Sequence, residues 1–170
     1  MTKPELGLRI WTAALSVFAA LMLTGFVRCR PAPDFGALKQ QILELHQETI
    51  EAHWKKDAGF FTENMADDYF AIQNGEIRKP TREEIAAEYQ NYLRTTTFTE
   101  YRDLQPPVVG FSKDASIAWS IVQVKVAGRE RDVSGTENPF DLTWAWITLY
   151  ERRGGRWIWL GEASNFKRSS

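Results

Sequence analysis

The chain has 170 residues, 44% of them hydrophobic and 25% charged, enough for one domain with a substantial core plus a short appendage. Four basic residues (Lys3, Arg9, Arg28, Arg30) and one acid (Glu5) fall in the first 33 residues, so the remainder is about four charges negative. No basic cluster interrupts that balance, which excludes a nucleic-acid surface, and a single cysteine, Cys29, excludes an intrachain disulfide.

Residues 10–27 form an uncharged apolar run of 18 residues. As a helix it would span about 27 Å, at the lower edge of what crosses a bilayer. A cleavable export signal fits the layout, although Phe26, Val27 and Arg28 spoil a small-residue cleavage site. Processing at Cys29, as in the bacterial lipoproteins this arrangement resembles, meets the same obstacle. An uncleaved signal anchor needs no processing motif and is the preferred reading. The expectation is an extracytoplasmic domain, membrane-anchored or secreted, with the N-terminal helix in contact with the membrane.

Residues 30–33, Arg-Pro-Ala-Pro, make a short stiff link, and Asp34 offers a helix cap. Leu38, Ile42, Leu45, Thr49 and Ala52 recur at spacings of three and four, predicting a helix to about Asp57 that Gly59 ends. A short second helix over 60–65 leads through Asp67-Asp68, read as a turn, into a strand. Asn74-Gly75 marks a hairpin with 76–78 returning. Thr81 and Glu84 have capping-box spacing, and Ile85, Tyr89, Tyr92 and Leu93 give the third helix a side to bury.

From Phe98 onward the pattern is strand-like: 98–105, then 108–111 after Pro106-Pro107, then 116–126. The polar stretch 128–139 reads as a long connection. Residues 142–152 return, Gly154-Gly155 turns, and 156–164 closes the sheet, with fraying expected over 167–170. The run 142–150 is apolar on both faces, so each face should be covered. Helices followed by consecutive strands predict an α+β fold: three helices on a strongly curved antiparallel sheet.

Several segments carry a resemblance. They are Glu51-Ala52-His53-Trp54, Met65-Ala66-Asp67-Asp68-Tyr69 running into Asn74-Gly75, the helix start at Thr81-Arg82-Glu83-Glu84-Ile85, and Gly155-Arg156-Trp157 followed by Ser164. In order and spacing these resemble the nuclear transport factor superfamily of cone-shaped α+β domains, closest to its SnoaL-like branch, over nearly all of residues 34–166. The resemblance implies a pocket between helices and bent sheet, and pairing of two copies through the outer sheet face. Some members, such as ketosteroid isomerase and the polyketide cyclases, place acids, histidines and tyrosines in the pocket.

An enzyme of that sort needs a base near an acid or hydrogen-bond donor in a dry site. Asp67, Asp68 and Glu162 are the candidate acids, Tyr69, Tyr89 and Tyr92 the donors, and His53 a candidate lining residue. Each has a structural reading beside the chemical one: a turn for the aspartates, a solvent-facing or arginine-paired strand end for Glu162, core packing for the tyrosines. His46 and His53 are seven apart, about 10 Å along a helix, too far for one ion, so no metal or other cofactor is expected. Trp54, Trp119, Trp144 and Trp146 could fill the core, line an apolar pocket or cover a dimer face, and strand parity does not say which face is concave. The leading expectation is a pocket for a small hydrophobic ligand, or a role in assembly. The alternative is a lyase or isomerase with an Asp or Glu base and tyrosine donors.

Overall fold

The computed structural model describes residues 32–168. The predicted N-terminal hydrophobic helix, its signal or anchor role and Cys29 lie outside the described residues. Among the described residues no helix is long and apolar enough to cross a membrane.

Helix α1 (Phe35–Lys55) starts where Asp34 accepts a hydrogen bond from the Ala37 amide at 3.0 Å. It ends at Lys56 in the left-handed region, before Gly59, which instead begins the four-residue α2 (Phe60–Glu63). Strands β1 (Met65–Gln73) and β2 (Glu76–Arg78) form the Asn74-Gly75 hairpin. Helix α3 (Arg82–Thr95) opens with the complete capping box: the Glu84 amide donates to Thr81 Oγ1 and the Thr81 amide to Glu84 Oε2. The remainder is sheet: β3 (Thr96–Asp103), β4 (Val108–Phe111), β5 (Ile117–Arg131), β6 (Glu137–Arg153) and β7 (Arg156–Arg168).

The strand order is β2-β1-β7-β6-β5-β3, with β4 also on β5. Strand β5 is long enough to seat two partners end to end on one edge, β3 along 124–130 and β4 along 118–121. Pro106 and Pro107, which lack the donor a ladder needs, fall in the gap between them. The sheet is not wholly antiparallel as expected, because β1 joins β7 in parallel. Periodicity shows that a segment is a strand and is silent on which distant strand it meets.

Register shifts in β1, β3 and at Leu149–Tyr150 break the ladder where bulges bend strands. The polar stretch 128–139 is mostly ladder: β5 and β6 stay paired out to Arg131 and Glu137, and only 132–136 turns, organised by Asp132, whose carboxylate accepts from Ser134 and Thr136. Lys167 and Arg168 are still paired with β6.

Two apolar clusters hold the helices down. One gathers Ile50, Phe61, Leu93, Val124 and Val126; the other gathers Leu38, Ile42, Ala118, Tyr150 and Trp157. On β5 the inward side is Ala118, Ser120, Val122, Val124 and Val126, all buried, which leaves Ile121 outward, opposite Ile147 on β6. Both isoleucines and Val108 are exposed, so the described residues leave this part of the second face of β6 uncovered.

The bulge in β3 sets one strict requirement. A Cβ on Gly128 would run into the Thr97 carbonyl oxygen, a backbone atom that cannot swing aside. Gly128→Ala should therefore cost about 1–3 kcal/mol, read as a lowered midpoint in denaturant unfolding. An unchanged midpoint would show that the bulge yields.

Candidate active site

Alternation along β6 turns Trp144, Trp146, Thr148 and Tyr150 toward α1 and α3. Glu162 and Ser164 on β7 pair opposite Thr148 and Trp146 and point the same way. Between these strands, β1 and the helices lies a cavity of about 290 Å³. Every tyrosine and every histidine of the chain, five and two, lines it.

Both histidines come from the inward face of α1 and both are buried, rather than exposed on the helix surface. His46 Nε2 lies 2.8 Å from Asp103 Oδ1 at the end of β3, with side chains 6% and 30% exposed. A carboxylate only accepts, so the neutral ring carries its proton on Nε2 and leaves Nδ1 bare. The pair thus joins the cavity, which His46 lines, to a partly wet carboxylate outside it.

His53, two turns further on, is arranged the other way. Its Nδ1 donates to the Thr49 carbonyl oxygen at 2.7 Å. Rings of Phe61, Tyr89, Tyr92, Phe98 and Tyr101 surround it, with centroids 4.5–6.4 Å away. Burial pushes its pKa down to about 4, opposed only in part by the Thr49 hydrogen bond, so the ring is neutral at ordinary pH.

Glu162 has no hydrogen-bond or ion-pair partner among the described residues, and burial alone pushes its pKa up to about 7. The tyrosine hydroxyls are driven upward too, chiefly by burial and then, for Tyr69 and Tyr89, by the Glu162 charge, so they stay protonated and can donate. Tyr150 is tied to Ser120 Oγ at 3.1 Å, and Tyr89 stacks on Phe61 at 3.8 Å. At the rim, Arg78 of β2 is paired with Glu88 of α3.

Of the residues singled out from sequence, His53, Tyr69, Tyr89, Tyr92, Trp144, Trp146 and Glu162 line this cavity. Trp54, Asp68 and Trp119 do not. Trp54 sits one residue round the helix from His53 and is 47% exposed. Asp68 projects from β1 into solvent, 3.9 Å from Arg153 Nη2, and is neither a turn nor a pocket residue. Trp119 has the outward parity of β5, where it covers Gly110 of β4.

Sequence reasoning missed the His46–Asp103 pair, Tyr101 and Tyr150. His46 was visible on the same helix line as His53, but nothing local ties it to an aspartate 57 residues away. Among the described residues no group of three His, Cys, Asp or Glu side chains could hold a metal ion.

No sequence-family profile matches the chain, and no curated protein matches it by sequence. Solved structures do match it in fold. An NTF2-like protein from Cytophaga hutchinsonii aligns with a TM-score of 0.59 at 15% identity, covering 75% of this chain and 96% of its own. A hexachlorocyclohexane dehydrochlorinase, LinA type 2, gives 0.62 at 20% identity over 81% and 92%. An NTF2-like protein of unknown function from Pseudomonas putida gives 0.57 at 18% identity over 76% and 87%. At these identities the likeness is one of fold alone, and it is the fold that the helix and strand motifs led one to expect: the chain shares the fold of NTF2-like proteins.

Proposed function

We propose that the domain is an acid–base enzyme of the lyase or isomerase type, acting on a small ring-sized molecule held in the cavity. The observation that carries this reading is an unpartnered, desolvated Glu162 carboxyl in the same cavity as the Asp103-held His46. A carboxyl whose pKa is near 7 holds a proton it can give away at neutral pH, and an imidazole oriented by a carboxylate is a base.

In this reading His46 Nδ1 takes a proton from carbon, and Asp103 stabilises the imidazolium that forms. Glu162 gives its proton to the oxygen on which charge develops. Returning the His46 proton to a different carbon, and the oxygen's proton to Glu162, completes an isomerisation. Where the oxygen sits on the carbon next to the one that loses its proton, the C–H electrons form a double bond. The C–O bond breaks and the oxygen leaves carrying the Glu162 proton, which is an elimination. The fold neighbour named a dehydrochlorinase also carries out an elimination on a small ring, which agrees with this reading. The two groups are the kind of convergent acid and base that a binding-only cavity does not need.

The test is deuterium uptake from D₂O at the carbon beside the carbonyl of 2-indanone, 2-tetralone and cyclohexenone, followed by NMR. At least one ketone should exchange faster with the protein than with the same concentration of free imidazole, with a bell-shaped pH profile. No acceleration for any of the three would overturn the proposal.

A further inference from the structure

The two histidines of α1 hold opposite tautomers, and the difference assigns His53 a task that acid–base chemistry leaves unfilled. His53 Nδ1, the nitrogen beside its Cβ, is bound to the helix's own backbone at Thr49. A carbonyl oxygen only accepts, so the proton sits on Nδ1, and Nε2 of the neutral ring is a bare acceptor. Because Nδ1 faces the helix, the distal Nε2 is turned away from it, on a ring that lines the cavity. No described group bonds to Nε2, and no carboxylate pairs with the ring. A bare acceptor on a ring that lines a largely aromatic cavity is a ready partner for a donor on water or a ligand.

We infer that His53 is a specificity-determining residue: its Nε2 accepts a hydrogen bond from an O–H or N–H group of the ligand. The cavity therefore selects ring compounds that carry such a donor over hydrocarbons of the same shape. This rests on reading the cavity as a substrate site. It differs from the acid–base proposal in using a histidine as a hydrogen-bond acceptor, with no proton transferred to it in the reaction. The donor is a hydroxyl or an amine, and the test separates them.

The experiment uses protein labelled with ¹⁵N at histidine, at pH 7, with four single-ring probes: p-cresol, toluene, 4-methylbenzylamine and 4-methylbenzoate. Binding is followed by tryptophan fluorescence and the ring nitrogens by NMR. The free protein should show His53 protonated on Nδ1 and His46 on Nε2. Either p-cresol or 4-methylbenzylamine should bind at least about tenfold more tightly than toluene, the ratio expected for one buried hydrogen bond. The tighter binder should move the His53 Nε2 resonance to lower chemical shift, and its identity names the donor. In His53→Phe the preference over toluene should vanish while the fold persists.

Toluene binding as well as both donors, or a donor binding without moving Nε2, would overturn the inference and leave the cavity intact as a site. Failure of all four probes to bind would overturn both. Should His53→Phe not fold, the Nε2 shift in the unsubstituted protein decides alone.

Discussion

His46→Gln is expected to slow carbon–deuterium exchange of the ketone probes by about 10²–10⁴-fold, the range that a positioned general base contributes. Glutamine fills a similar volume and can still donate to Asp103, so the thermal midpoint should hardly move while the rate falls. Asp103→Asn leaves an imidazole in place but offers it an amide that can donate as well as accept. The ring then loses its enforced tautomer and the carboxylate that supports its charged form. That variant should retain more activity than His46→Gln, with a pH–rate profile displaced from the parent's. A rate unchanged in His46→Gln would remove the pair from the chemistry and leave it a helix-to-strand tie between α1 and β3.

Glu162→Gln should stabilise the protein at high pH and do little at low pH. The carboxyl titrates at 4.5 in its ordinary state and at about 7 in the folded protein, because burial penalises the carboxylate. Its favourable burial is therefore fully present below about pH 4.5 and is lost as pH rises toward and through 7. Glutamine stays neutral throughout, so its advantage should grow from pH 4.5 to 7 and then level off, on the order of 3 kcal/mol.

His53 acts in the opposite sense. Held near 4 against an ordinary 6.5, it contributes stability above pH 6.5 that is lost as pH falls through 4. In the parent the two slopes oppose each other between 4.5 and 6.5, giving a flat stretch that the glutamine variant converts to a rise with pH. Urea unfolding of both proteins at pH 4, 6 and 8 checks this. A parent–variant difference equal at pH 4 and pH 8 would mean that Glu162 is not desolvated in the fold. The same variant should slow the ketone exchange, so this residue would trade stability for chemistry, as acids placed in dry sites do.

The elements themselves were legible because their signals are local. A capping box, an Asn-Gly turn and an apolar repeat of three and four each act within a few residues, and α1, α3 and the β1–β2 hairpin follow them closely. The two-sided greasiness of residues 142–150 correctly marked a central strand. It did not reveal that the outward Ile147 and its neighbour Ile121 would remain exposed. The polar residues of 128–139 suggested a loop because exposed ladder ends need no apolar pattern, and the hydrogen bonds that keep them paired are indifferent to side-chain type.

The site divides along the same line. A pocket with aromatic and acidic candidates was an expectation carried by the family resemblance, and seven of the ten residues singled out line the cavity. Strand parity relative to the helices excluded Trp119, helical rotation excluded Trp54, and the irregular register of β1 carried Asp68 outward. Only the assembled structure could bring Asp103 to His46 across 57 residues, or bury Glu162 without a partner among the described residues. Sequence by itself determined the elements, the α+β class and the chemical inventory, because propensity, capping and periodicity act over a few residues. The tertiary structure decided which of those side chains share a dry space, because burial and charge pairing depend on what the rest of the chain brings alongside.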